Sequence, residues 1–134
     1  MLNWLLRKRL ERAFDKLSTE LETKSFHEIE LDKIIKATAR NERARSLIRQ
    51  RVALEYQFYE DVVPSNRVPE LRRRLNLAAA ERHAAIERGA HSHAHPEWAA
   101  AAVAETWILS RIEYLENAMD EATLNNVQRL INSI

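Results

Sequence analysis

The stretch PEWAAAAVAETWILSRIEYLENAMDEA, residues 96–122, decides the fold of this 134-residue chain. Its apolar side chains recur at alternating steps of three and four, which is typical of one helical face and of a coiled-coil seam. Pro96 suits the first turn of a helix, and Glu97 is favourable near the positive end of the helix dipole. The stretch therefore predicts a long amphipathic helix. The seam positions, interrupted only by Glu105, are Trp98, Ala101, Ile108, Ile112, Leu115, Met119 and Ala122.

Helical periodicity extends outward from this stretch in both directions. After this stretch, the apolar spacing resumes at residues 127–134, displaced by one position from the seam. Asn125 and Asn126, which are poor helix formers, predict a kink or a separate terminal helix between the two parts. Before it, amphipathic segments cover about residues 2–24, 26–63 and 68–88. Ser25 and Glu28 form a capping-box pattern, and Gly89 occupies a C-terminal cap position.

The segment 26–63 contains a run, residues 37–46, without a large apolar side chain. A helix can continue through it because Ala, Arg and Glu are good helix formers, or it can restart with Asn41 as its N-cap. We favour one long or kinked helix. The chain is therefore expected to be all-α: one domain, residues 1–134, forming an antiparallel bundle of three to five helices, possibly elongated, with long second and fourth helices.

Composition excludes several classes of function. The chain has no cysteine, so it has no disulfide, thiolate metal site or cysteine nucleophile. A single glycine excludes Gly-rich nucleotide-binding loops. No apolar run approaches the roughly 20 residues that span a bilayer. No catalytic arrangement of Ser, His and Asp stands out. We expect a non-enzymatic, cytoplasmic protein without a cofactor.

Charge is divided unequally along the chain. Residues 1–90 carry 19 basic and 14 acidic side chains, whereas residues 91–134 carry 2 basic and 6 acidic ones. Such asymmetry can indicate a basic face for a partner. It can equally mean that the two halves pack on each other or on a second copy, and we favour this explanation because it needs no external ligand.

Three aromatic residues end the second predicted helix: Tyr56, Phe58 and Tyr59. They cannot all face one core, so at least one is expected to be exposed or covered by a partner. Tyrosine is enriched at the centres of protein interfaces. These residues are the candidate partner-binding site, and the alternative is a wide apolar face at a corner where helices meet.

A basic stretch and a second arginine cluster are the candidate nucleic-acid site, because such clusters neutralise phosphates. Lys33, Lys36, Arg40 and Arg43 would share one face of a continuous helix. No aromatic residue interleaves with them to stack a base, and the whole chain has a net charge of only +1. A solvated or intersubunit face is the alternative. The full set is Lys33, Lys36, Arg40, Arg43, Arg45, Arg49, Arg51, Arg72, Arg73 and Arg74.

The loop sequence HSHAH places His91, His93 and His95 close together. Imidazole is the commonest ligand of zinc, nickel and copper, so the three are candidate metal ligands. A closed metal site needs a fourth ligand, which the spacing does not locate. The alternative is a solvated loop in which His95 caps the next helix.

The N-terminal segment is amphipathic, with Leu6, Leu10, Phe14, Leu17 and Leu21 on one face and basic residues beside Trp4. It could pack in a core or, less expected, lie in a membrane interface.

Long amphipathic helices without a chemistry-bearing motif indicate a non-enzymatic protein–protein interaction module: an adaptor, assembly factor or inhibitor that occludes a partner's surface. Small helical bundles often self-associate and thereby bury apolar helix faces that their own core leaves exposed, so a homodimer is expected. A nucleic-acid-associated protein is the alternative, and a metal-responsive protein using the His loop is a lesser one.

Overall fold

The computed structural model of the protein describes residues 3–12, 25–90 and 92–134. Within these ranges the fold is all-helical and its helices are packed, as predicted. The number of helices exceeds the predicted three to five, because the predicted second and fourth helices are each divided in two. The helices are α1 (described over residues 3–12), α2 (Phe26–Thr38), α3 (Glu42–Asp61), α4 (Arg67–Glu87), α5 (Pro96–Leu115) and α6 (Glu121–Asn132), with a short 3-10 helix (Pro64–Asn66) before α4. The remainder of the predicted first segment, residues 13–24, lies outside the described residues.

Local capping chemistry sets several helix ends where the sequence predicts them. The backbone N–H of Glu28 donates to Ser25 Oγ (3.3 Å), and Glu28 Oε2 accepts from the Ser25 backbone N–H (2.7 Å), which completes the capping box that starts α2. Gly89 has a φ of 88°, and the Ala90 N–H donates to the Ala85 carbonyl (2.8 Å). This left-handed cap ends α4 as predicted.

The predicted second helix, which we favoured as one long or kinked helix, is divided into two, because α2 ends at Thr38 and α3 begins at Glu42. Asn41 lies between them in an extended conformation, and its Oδ1 accepts from the Ala44 N–H (3.1 Å). Its Nδ2 also donates to the Ala94 carbonyl (3.0 Å), in the loop before α5. The Asn41 side chain therefore both caps α3 and bonds to a loop that is distant in sequence. These two hydrogen bonds stabilise the interruption between α2 and α3.

The end of α5 also differs from the prediction. Asn117 adopts a φ of 61°, and the Ala118 N–H donates to the Glu113 carbonyl (2.7 Å), so the helix stops at Leu115 in a Schellman-type cap. Asp120 then caps α6, accepting from the Thr123 N–H (2.7 Å). The break lies before Asn125 and Asn126, which are exposed residues inside α6. The last seam positions therefore do not belong to the same helix as the first.

The central element is α5, which packs against α3 and α4 most extensively and also contacts α2 and α6. It is buried on several sides, and not only along the predicted seam: Ala99, Val103, Ala104 and Trp107 lie off that seam and are all buried. A helix that is buried around most of its circumference belongs in the middle of a core. Its many alanines allow α3 and α4 to approach closely. No helix in the described ranges is both long enough and apolar enough to cross a membrane.

Candidate functional site

Two grooves flank helix α3 at the surface of the protein. The α3–α4 groove has a volume of about 520 Å³, with Leu47 and Leu54 on one wall, Ala84 on the other and Ala100 with Ala101 of α5 as its floor. The α3–α6 groove has a volume of about 710 Å³. Its apolar lining comes from four residues, Ile48, Val52, Ala53 and Ile131.

The three aromatic candidates lie in different environments. Tyr59 is half-buried, and its ring lies edge-on to the ring of Trp107, with 5.9 Å between the two centroids. The Arg67 guanidinium lies 4.4 Å from the centroid of the Tyr59 ring. Phe58 is half-buried beneath the Arg74 guanidinium (5.1 Å). Only Tyr56 is largely exposed, at 52%, while its ring centroid lies 6.4 Å from that of Trp107. The expectation that at least one of the three is exposed is therefore met by Tyr56.

The sequence reasoning missed Leu54, whose side chain is 56% exposed on the same helix. Leu54 lies off the row of core positions that includes Ile48, Glu55 and Tyr59. A helical projection could have identified it once the start of α3 at Glu42 was known. Leu54 and Tyr56 are the large exposed apolar side chains of α3, and they lie at the two edges of its exposed face: Leu54 lines the α3–α4 groove and Tyr56 lines the α3–α6 groove. We call this exposed face, with its two apolar edges, the α3 surface.

A polar cluster, also missed from sequence, lies beside the α3–α6 groove. The indole N–H of Trp107 donates to Gln128 Oε1 (3.0 Å), and Arg111 Nη2 donates to the same oxygen. Gln128 Nε2 in turn donates to Asn132 Oδ1 (2.9 Å). Burial lowers the pKa of the Arg111 guanidinium from its usual value, although Tyr59 and Tyr56 act in the opposite direction. The cation is thus partly desolvated beside an aromatic wall.

A charged network joins α3 to α4. Glu55 is fully buried and accepts hydrogen bonds from Arg51 Nε (2.9 Å) and from Arg74 Nε (3.0 Å) and Nη2. Arg51 also pairs with Glu81 through two hydrogen bonds. Burial acts to lower the pKa of Arg51, but hydrogen bonds to Glu81 and Glu55 outweigh that effect and the pKa is raised. The network therefore balances its charges internally.

The candidate basic residues are distributed over α2, the turn after it, α3 and α4. Lys33 and Lys36 lie on α2, Arg40 lies in the turn, and Arg43 lies on α3, so the break before Glu42 removes the predicted common face. Within the described ranges, Lys36, Arg40 and Arg43 are exposed and form no ion pair. The other seven pair with carboxylates: Lys33 with Glu30, Arg45 and Arg49 with Glu42, Arg51 and Arg74 with Glu55, Arg72 with Glu116, and Arg73 with Glu70.

The unequal charge of the two halves is explained within the chain. Three arginines of α4 and its C-cap, all from the basic part, pair with carboxylates of the acidic part. His27 Nε2 also lies 3.0 Å from Glu113 Oε2. The halves therefore pack on each other, which is one of the two arrangements that we favoured from sequence. The arginine pairs are Arg72–Glu116, Arg82–Glu105 and Arg88–Glu97.

The histidine loop shows no assembled metal site in the part of the chain that the structure describes. His91 lies outside the described residues. His93 Nε2 is 3.7 Å from Glu30 Oε2, and its ring lies 4.8 Å from that of Trp98. His95 occupies the N-cap position of α5, but among the described residues its side chain makes no capping hydrogen bond and its buried Nδ1 has no partner. No group of three or more His, Asp or Glu residues is arranged to hold a metal ion in the described ranges.

The residues along α3, together with Arg111 of the neighbouring α5, offer apolar contact area, aromatic rings and a partly desolvated cation, which are features of a binding site. Comparison with known proteins adds no assignment: no family model, no curated protein and no solved structure matches this chain.

Proposed function

We propose that the protein is a non-enzymatic helical interaction module, which acts as an adaptor, assembly factor or inhibitor by occupying a surface on a partner protein. The observation that carries this proposal is the α3 surface. Leu54 and Tyr56 are each more than half exposed at the two edges of one helix face, and each lines one of the two grooves that flank this helix. An exposed apolar side chain beside grooves that can receive a partner's side chains resembles the centre of a protein interface.

The packing beneath the α3 surface supports the same proposal. The network of Glu55 with Arg51 and Arg74 holds α3 against α4, and Tyr59 anchors the end of α3 on Trp107. A surface on a fixed helix loses little conformational freedom when it binds, so more of the contact energy appears as affinity. Complete burial of a side chain such as Leu54 would contribute about 1.5–3 kcal/mol.

The interaction proposal is tested by pull-down from host lysate with two double variants of the purified, tagged protein. Leu54→Asp/Tyr56→Asp is expected to lose the captured protein, because it places two charges in the proposed interface. Leu77→Asp/Tyr114→Asp is the matched control, since these two side chains are also exposed (46% and 38%) but lie on α4 and α5. Equal capture by both double variants would contradict the role of the α3 surface.

Nucleic-acid association is the alternative function, and the exposed cations Lys36, Arg40 and Arg43 around the α2–α3 turn favour it. The same pull-down distinguishes the two functions when half of the lysate is treated with nuclease. Protein capture that survives nuclease supports the interaction module. The alternative would be supported if the unaltered protein recovered nucleic acid and the variant Arg40→Glu/Arg43→Glu did not. Any nucleic-acid binding that the variant retained would also depend less on salt concentration.

We also propose that the module is a homodimer, with α1 in the interface. The support is that Trp4, Leu5, Leu6 and Leu10 are between 51% and 71% exposed on this helix. A cluster of apolar side chains of this kind is commonly covered by a second copy.

Light scattering is expected to give a mass about twice that of the 15.7 kDa chain at micromolar concentration. Leu6→Glu/Leu10→Glu is expected to give the monomer mass, because it places charges in the apolar cluster, whereas Arg7→Glu/Arg9→Glu serves as a control on the same helix. A monomer mass for the unaltered protein at all concentrations from micromolar upward would reject the dimer.

A further inference from the structure

Arg111 is a partly buried cation with an incomplete set of partners. Within the described ranges its side chain makes one hydrogen bond, to Gln128 Oε1, and its guanidinium lies 4.9 Å from the Trp107 ring centroid. No carboxylate in those ranges pairs with it. Arg51, Arg74 and Arg82 are also partly buried, and each pairs with a glutamate. Half-buried Arg67 resembles Arg111 in having no carboxylate partner in the described ranges, and it lies over the ring of Tyr59. A desolvated cation without an anion is unfavourable, and Arg111, unlike Arg67, lines a groove in which an anion could pair with it.

The space in front of Arg111 is the α3–α6 groove. Its volume of about 710 Å³ lies within the range of small-molecule sites. The wall formed by Ile48, Val52, Ala53 and Ile131 is apolar, and Tyr56 adds an aromatic ring. A few polar groups that converge in a mostly apolar groove are typical of a site for an amphiphilic ligand.

The two arginines that line the groove, Arg49 and Arg111, indicate a ligand with a single negative charge. Arg49 also lines the groove, but its Nη2 donates to Glu42 Oε1 (2.6 Å) and its Nη1 donates to the Ile134 backbone oxygen (3.0 Å). The Arg49 guanidinium lowers the pKa of the Glu42 carboxyl, which accords with a formed ion pair. Arg111 is thus the one lining cation without a carboxylate partner in the described ranges. Its planar guanidinium matches the two oxygens of a carboxylate.

We propose that the α3–α6 groove binds a small organic monocarboxylate with an apolar body. The carboxylate pairs with the Arg111 guanidinium, and the apolar body lies along Val52, Ile131 and the Tyr56 ring. This site shares Tyr56 and the α3–α6 groove with the proposed protein interface, but its ligand is a small molecule whose binding is measured without a partner protein.

The test is a titration of the purified, full-length protein with hexanoate and with its uncharged counterpart hexanamide. Trp107 reports binding through its fluorescence when Trp4 and Trp98 are replaced by phenylalanine, since Trp107 lies beside Arg111. Hexanoate is expected to give a saturable change, with an affinity at least about tenfold higher than that of hexanamide, because a hydrogen bond to a charged group is worth more than one to a neutral group.

Variants assign the effect to Arg111. Arg111→Gln is expected to weaken hexanoate binding about tenfold or more, and Arg111→Lys to give an intermediate affinity because it keeps the charge without the planar guanidinium. Arg49→Gln is the matched control on the same groove and is expected to change the affinity less than about threefold, since Glu42 already neutralises Arg49. Thermal unfolding of each variant confirms that it is folded.

Three results would overturn the proposal: equal affinities for hexanoate and hexanamide, undiminished hexanoate binding by folded Arg111→Gln, or no saturable binding of hexanoate at millimolar concentration. Because no partner protein is present in this titration, its failure would leave the interaction proposal standing. Loss of partner capture by the α3-surface variant likewise says nothing about the carboxylate.

Discussion

Replacement of Glu55 by glutamine is expected to lower the free energy of unfolding by about 3–5 kcal/mol. The Glu55 side chain is fully buried and accepts from Arg51 and from two nitrogens of Arg74. Glutamine has a similar shape, but it carries no charge and directs an NH₂ group toward guanidinium donors. Two partly buried arginines would then lack their common counter-ion. Urea unfolding followed by circular dichroism measures the change.

Two further variants separate charge from packing. Glu60→Gln makes the same substitution at an exposed position of α3 and is expected to change the stability by less than about 0.5 kcal/mol. A triple replacement of Arg51, Glu55 and Arg74 by methionine is expected to be less destabilised than Glu55→Gln, because it leaves no unpaired charge in the buried part of the network. Glu81 loses its partner Arg51, but its side chain is 39% exposed and can be solvated. If Glu55→Gln lost less than about 1 kcal/mol, the network would not be a buried structural element.

Trp107→Ala is expected to cost about 3–5 kcal/mol of stability, since it creates a large cavity in the core. Trp107 is 1% exposed, lies edge-on to the rings of Tyr56 and Tyr59, and donates its indole N–H to Gln128. The substitution removes these contacts together with the aromatic face beneath Arg111. Thermal and urea unfolding both report the loss, and Tyr56 should become more mobile.

Trp4→Ala provides the comparison, because Trp4 is 61% exposed on α1. When measured at a concentration where the protein is monomeric, it is expected to change the stability by less than about 0.5 kcal/mol. Trp107→Phe should give an intermediate loss, since it keeps an aromatic ring but removes the hydrogen bond to Gln128. Similar losses for Trp107→Ala and Trp4→Ala would contradict the central position of Trp107.

The helix ends that the sequence predicted correctly depend on neighbouring residues alone. The capping box of Ser25 with Glu28 and the left-handed cap at Gly89 are complete within three to five positions, so sequence spacing suffices to find them. The end of α5 at Asn117 follows the same chemistry. It was missed because the apolar spacing continues across it and favours a longer helix.

The candidate site was predicted less completely, for a related reason. Tyr56 was named only as one of three aromatics that cannot all face one core, and the sequence did not indicate which of them is exposed. Leu54 and Arg111 were not identified, because exposure and pairing depend on which helices lie alongside. Arg111 is one of only two basic residues in the acidic part of the chain, and nothing in its local sequence marks it as lacking a carboxylate partner.

The sequence by itself determined that the chain is all-helical, that helices begin after Ser25 and at Pro96 and end before Gly89, and that cysteine chemistry is absent. Only the tertiary structure decided that α5 lies at the centre, that Asn41 breaks the second helix while bonding to Ala94, and that Arg51 and Arg74 share Glu55. The physical reason is the sequence separation over which each kind of interaction acts. Helix formation and capping are governed by residues within a turn of one another, whereas burial and ion pairing are governed by residues that only the folded chain brings together.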